Sequence, residues 1–235
     1  MLFKYLLLCF FIQSLLPIAH AQKSLKEGLL AYYPFDGDAT DGREERNDGY
    51  VNKIKPAEDR FNKPHKAIYV EGGGVEIYNV SIPVKSATIC IWVKPTLESN
   101  LGKQNILSKH YSYANCELLI RIRPDGFYSA EWNIGATYFD ISKEDKAKLF
   151  KPTYTQYDFL VLKYDGSKVE FYVNNKLSAR KFIKGEIVNN NKPISVGSLS
   201  KFPKREAFKG AVDDLRIYNR ALTTSEITQL FQLKE

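Results

Sequence analysis

Phe159-Leu160-Val161-Leu162-Lys163-Tyr164, Asp165-Gly166, Val169-Glu170-Phe171-Tyr172-Val173, Asn174-Asn175 and then Leu177 to Ile183 form the stretch that decides the fold class. The apolar runs are rich in β-branched and aromatic residues, which fit a pleated surface. Asp-Gly and Asn-Asn tolerate the positive φ angles that two-residue hairpin turns require. Two hairpins sharing one strand make a meander. In Val169–Val173 the odd positions are apolar, so that face is predicted to meet a core.

The same signals recur outward from this stretch. Leu118 to Ile122, then Asp125-Gly126, then Phe127 to Trp132 reads as another hairpin. Leu215 and Ile217 alternate with Arg216 and Tyr218. Ile89, Ile91 and Val93 alternate with Thr88, Cys90 and Trp92, and both faces of that run are largely apolar. Such a strand is predicted to be covered on both sides. Short strands punctuated by turns predict an all-β, two-sheet antiparallel sandwich rather than βαβ units. One short C-terminal helix is predicted after Thr223, where Thr-Thr-Ser-Glu offers a capping box. Ile227, Leu230 and Phe231 then share one face of it.

The first residues read differently. Lys4, an apolar run from Leu6 to Leu16 and Ala19-His20-Ala21 have the order of a cleaved secretory signal, residues 1–21. The run is shorter than the roughly 20 residues that span a bilayer. Residues 22–235 are then expected to form a single domain, exported to the periplasm, the cell surface or the medium. The net charge of +7 suits acidic glycans or an anionic surface, or is simply a set of scattered solubilising lysines. No nucleic-acid motif accompanies it. Export permits a disulfide between Cys90 and Cys116; the alternative is two small buried hydrophobes.

Four stretches, in order, resemble the laminin-G-like group of the concanavalin A-like lectin/glucanase superfamily. They are Gly28 to Gly37, Asp41 with Asn47-Asp48-Gly49, Thr88 to Pro95 around Trp92, and Gly210 to Leu222. The resemblance implies a jelly roll whose first and last strands lie side by side. It also implies a structural Ca²⁺ between the first loop and the closing strand. Asp36, Asp38, Asp41, Asn47 and Asp213 are candidate ligands, with Asp41 and Asp213 foremost, because calcium takes hard oxygens. Arg43 and Arg46 are placed to neutralise the same acids instead. The loop after Asp41 reads Gly-Arg-Glu-Glu-Arg, where the family usually shows a Ser-Gly turn.

The superfamily includes glycosidases, whose hydrolysis needs two converging carboxyls. The Glu-x-Asp-x-x-Glu pattern of its glucanases is absent. Glu131 and Glu170 read as lone acids, and Asp213 and Asp214 are expected on opposite faces of a regular strand. No Gly-x-Ser-x-Gly elbow is present for a nucleophilic serine. The expected activity is therefore non-catalytic recognition of a glycan or glycoprotein through loops or the concave sheet. A small glycoside hydrolase and a protein-binding adhesion or assembly component are the alternatives. Aromatic faces and nearby polar groups suit sugars, which singles out Tyr111, Tyr113 and Trp132, with packing into the core as the alternative for each aromatic. The basic, aromatic segment 201–209 adds Lys204 and Arg205.

Overall fold

The computed structural model describes residues 25–97, 102–110, 116–144, 147–197 and 206–234. The proposed signal segment, Tyr111, Tyr113, Lys204 and Arg205 lie outside the described residues. Among the described residues, no helix is long and apolar enough to cross a membrane.

Among the described residues, thirteen strands form one connected antiparallel sheet. In chain order they are β1 (Leu29–Tyr33), β2 (Tyr50–Ala57), β3 (Ala67–Ile77), β4 (Ala87–Pro95), β5 (Gln104–His110), β6 (Cys116–Ile122), β7 (Tyr128–Ile134), β8 (Thr137–Asp140), β9 (Asp158–Tyr164), β10 (Lys168–Val173), β11 (Lys176–Phe182), β12 (Ile194–Val196) and β13 (Lys209–Tyr218). The spatial order is β11-β10-β9-β4-β13-β3-β12-β5-β6-β7-β8, with β1 on β13 and β2 on β3. The two halves of this path face each other. Trp132 of β7 meets Tyr164 of β9 edge to face at 6.3 Å, although many strands separate them along the sheet.

The alternation read from the sequence places the core. Val169, Phe171 and Val173 join Ile89, Ile91 and Val93 in one cluster between the layers. The opposite face of β4, with Cys90 and Trp92, packs under Ile227 and Leu230 of the helix α1 (Thr224–Gln232). That strand is thus covered on both sides, as its two apolar faces require. The capping box forms: Glu226 N donates to Thr223 Oγ1 at 3.2 Å, and Thr223 N donates to Glu226 Oε2 at 2.8 Å. The first and last strands are neighbours, with Ala31 opposite Ile217 and Tyr33 opposite Leu215.

Turn chemistry is partly as expected. Asn174 and Asn175 adopt φ of 49° and 61° and close a two-residue turn between Val173 and Lys176. The Asp165-Gly166 turn is wider, because the strands stay paired only as far as Tyr164 and Val169. Asp165 accepts from Ser167 N and Lys168 N, which stabilises the longer loop.

The disulfide is not made. Cys90 is a free, buried thiol. Its side chain points to the helix-covered face of β4, while β13, β3, β12 and β5 intervene between β4 and β6 in the sheet. Burial pushes the Cys90 pKa above the ordinary thiol range, so this sulfur is an inert packing group.

Candidate functional site

Three chain segments meet at one end of the sheet. β3 ends at Ile77, β12 begins at Ile194 directly opposite it, and β12 also lies against β5, Ser195 opposite Ser108. The segment after β3, the segment before β12 and the end of β5 are therefore brought together. They line a cleft of about 240 Å³ formed by Asn79, Val80, Ser81, Lys109, Asn189, Asn190, Asn191 and Lys192. Asn79 has φ of 60°, a left-handed conformation that asparagine tolerates.

A buried ion pair anchors the cleft. Lys109 Nζ lies 2.7 Å from Glu117 Oε2, and both side chains are buried. Lys109 also donates to the Asn190 carbonyl and, at 3.1 Å, to Asn189 Oδ1. Asn190 N donates to Glu117 at 2.8 Å, and Asn190 Nδ2 donates to the Lys109 carbonyl at 3.2 Å. Asn189 Nδ2 reaches Ser81 Oγ at 2.8 Å. Burial pushes the Glu117 carboxyl above the usual carboxylate range, and the Lys109 and Asn190 hydrogen bonds offset part of that push. Asn79 and Asn191 are exposed on the lining of the cleft. Tyr78, half exposed, and Tyr50, 67% exposed, stand beside this end of β3. The cleft thus combines two asparagines held by the ion pair, Asn189 and Asn190, with two whose side chains are exposed, Asn79 and Asn191.

The sequence did not single out the residues that line this cleft. Tyr111 and Tyr113 follow His110 at the end of β5, but lie outside the described residues. The run Asn189-Asn190-Asn191 before a short apolar strand was the available signal. Trp132 is a correction. It is fully buried in the inter-layer core, because Glu131 and Asn133 take the outward positions of β7.

The acids proposed for calcium do not form a site. Asp41 accepts from Tyr32 N, Arg43 N and Asn47 N and is bridged by the Arg43 guanidinium at 2.8 Å, so its oxygens are already occupied. Asp36 pairs with Lys66, Asp38 caps Thr40 N, and Asn47 Nδ2 donates to the Tyr78 carbonyl. Asp213 pairs with Arg60 at 2.7 Å. Among the described residues no group of three or more His, Cys, Asp or Glu side chains could hold a metal. A calcium shell of six to eight oxygens does not fit this arginine-matched arrangement.

Asp213 and Asp214 do not point apart as a regular strand requires. Asp214 has φ of 55°, and the β13–β4 register shifts between Asp213 and Arg216. This bulge turns both carboxylates onto Arg60, whose second nitrogen lies 2.8 Å from Asp214. Arg216 also meets Asp214, at 2.9 Å. Glu131 is not alone either, since Asp140 lies directly opposite it on β8. Burial first, and then Asp140, push Glu131 up, while Tyr138 and Arg121 pull it back. Its carboxylate is bonded to Tyr138 and Arg121 and buried, which ties it into the sheet rather than offering it to a substrate.

The comparisons agree with this architecture. Domain 4 of AbnA, an extracellular GH43 arabinanase from Geobacillus stearothermophilus solved with arabinotriose, superposes with a TM-score of 0.66 at 21% identity, covering 87% of this chain and 98% of that one. The binding domain of Paraclostridial Mosquitocidal Protein 1 gives 0.68 at 18% identity, over 88% of this chain and 52% of that one. The ligand binding domain of Botulinum neurotoxin serotype D, in complex with N-acetylneuraminic acid, gives 0.58 at 14% identity, over 90% and 52%. The chain spans about half the length of those two toxin domains. At these identities the likeness establishes the fold. No curated protein matches the sequence. The family model Laminin_G_3 matches residues 70–228, which take in β4 to β13 and the start of α1. The chain belongs to the Laminin_G_3 family of the concanavalin A-like lectin/glucanases superfamily.

Proposed function

We propose that this chain is an exported, non-catalytic glycan-binding module that seats a terminal sugar of a glycan or glycoprotein in the amide cleft. The observation that carries the reading is a cleft in which the buried Lys109–Glu117 pair fixes Asn189 and Asn190, Asn189 in turn holds Ser81, and the exposed amides of Asn79 and Asn191 complete the lining. Sugar hydroxyls need fixed donors and acceptors, and amides supply both. Preordered amides lower the entropic cost of binding. At about 240 Å³ the cleft is smaller than the roughly 300 Å³ at which drug-sized sites begin. It suits one ring rather than a long chain. Tyr111 and Tyr113, next to β5 in sequence, are proposed as stacking surface, and Lys204 and Arg205 as a separate basic contact for acidic glycans.

Structural neighbours support the ligand class: one was solved with arabinotriose and another with N-acetylneuraminic acid. The test is a glycan array probed with the purified protein, its Asn79→Ala and Asn190→Ala variants, and a chelator. Binding is expected for the unaltered protein, is lost in the variants, and is indifferent to chelation. Silence across neutral, acidic and host-type glycans overturns the reading in favour of a protein-binding component.

A further inference from the structure

A second, larger cleft of about 780 Å³ lies on the other layer, where the end of α1 overhangs β4. Phe61, Trp92, Tyr157 and Phe231 line it. Trp92 stacks on Phe231 at 5.6 Å, and the Arg60 guanidinium lies 4.6 Å from the Phe61 ring centre. Arg60 is already matched by Asp213 and Asp214, so its charge is spent inside the fold. Lys176 and Lys234 line it with Gln156 and Gln232, and among the described residues no carboxylate lines the cleft. The Trp92 side chain is nearly buried beneath this aromatic wall.

We infer that this cleft binds an acidic saccharide, its ring against the Phe61–Phe231 wall and its carboxylate towards Lys176 and Lys234. The inference rests on the glycan-binding reading of the module but concerns a separate site. A peptide strand is disfavoured as occupant. β4 is hydrogen-bonded on both edges, to β9 and β13, and offers no free edge for strand addition. The outer edge of β11, which carries Lys176, is met at Ser178 by Lys148, whose amide donates to the Ser178 carbonyl at 2.7 Å, and this leaves ring faces, amides and cations, the chemistry of an anionic sugar.

The protein reports on this cleft by itself. It has two tryptophans, and Trp132 is sealed in the core, so a ligand-induced change in tryptophan emission comes from Trp92. The experiment titrates the full chain with trigalacturonate and, in parallel, with neutral maltotriose. Trigalacturonate is expected to shift the emission, weakened about fivefold to tenfold in Phe61→Ala and Lys176→Glu and by raised salt. Asn190→Ala, which empties the amide cleft, leaves the shift in place, so the two sites fail separately. No shift with trigalacturonate, an equal shift with maltotriose, or a shift untouched by both cleft variants overturns the inference.

Discussion

A β-carbon added at Gly74 would lie 1.9 Å from the carbonyl oxygen of Val196. β3 and β12 approach that closely only because position 74 has no side chain. The contact also fixes where the segment before β12 arrives, and therefore where the amide cleft forms.

Gly74→Ala should force β12 away from β3. The strain of inserting one methyl into packed backbone costs about 2–3 kcal/mol. Urea unfolding should show this loss, together with weakened glycan binding in the fraction that remains folded. Full stability and full binding would contradict the placement of β12.

Lys109→Met should leave Glu117 buried without its cation, at a cost of about 3–5 kcal/mol near neutral pH. The sign with pH is specific. The Glu117 pKa is already raised by burial and rises further without Lys109. A raised carboxyl contributes its stability below the unfolded pKa and loses it as pH rises through the folded value. The variant should therefore be closer to the unaltered protein at pH 5 than at pH 8. Unfolding curves at the two pH values check it.

Arg60→Met should cost about 3–5 kcal/mol, because it takes the buried cation from Asp213 and leaves Arg216 to offset Asp214 by itself. In the unaltered protein the same arginine leaves calcium no role. A cation held at a hundred times its Kd would add about 2.7 kcal/mol, or several degrees of Tm for a chain of this size. The thermal midpoint should instead be the same in calcium and in chelator.

Asp165→Asn tests the acid limb. Burial pushes the Asp165 pKa up, but hydrogen bonds from Ser167 and Lys168 prevail and hold it at about 2, against an ordinary 3.8. A lowered carboxyl contributes stability above its unfolded pKa and loses it as pH falls through the folded one. The stability difference should be present at pH 5 and vanish between pH 3.8 and about 2. Solvent screening in this open turn limits it to about 1 kcal/mol. Acid titration of the unfolding free energy measures it.

Much of the architecture was legible because it follows from short-range patterns. Val169, Phe171 and Val173 alternate, and the pleat sends them to one face. Thr223 and Glu226 are three residues apart, and the helix start follows. What escaped depends on partners far away in sequence. Trp132 sits between two polar neighbours, and only the register of β7 against β6 and β8 decides which of them face out. The bulge at Asp214 has no local marker, since aspartate accepts either backbone region. Asn189 and Asn190 read as loop residues until β12 carries them to Lys109.

The pairing of β1 with β13 governs how the module bears tension. Leu29 opens β1 opposite Tyr218, which closes β13, and the Asn219 amide still reaches the Gly28 carbonyl at 2.8 Å. β1 thus begins and β13 ends at the same end of one antiparallel ladder, with α1 following β13 and packed on β4. Once α1 is drawn off β4, a pull through the two flanks opens that ladder one hydrogen bond at a time, like a zip, rather than shearing all rungs at once. If this module tethers a surface to a ligand, it yields at low force from its seam while the opposite layer, with the amide cleft, is still intact.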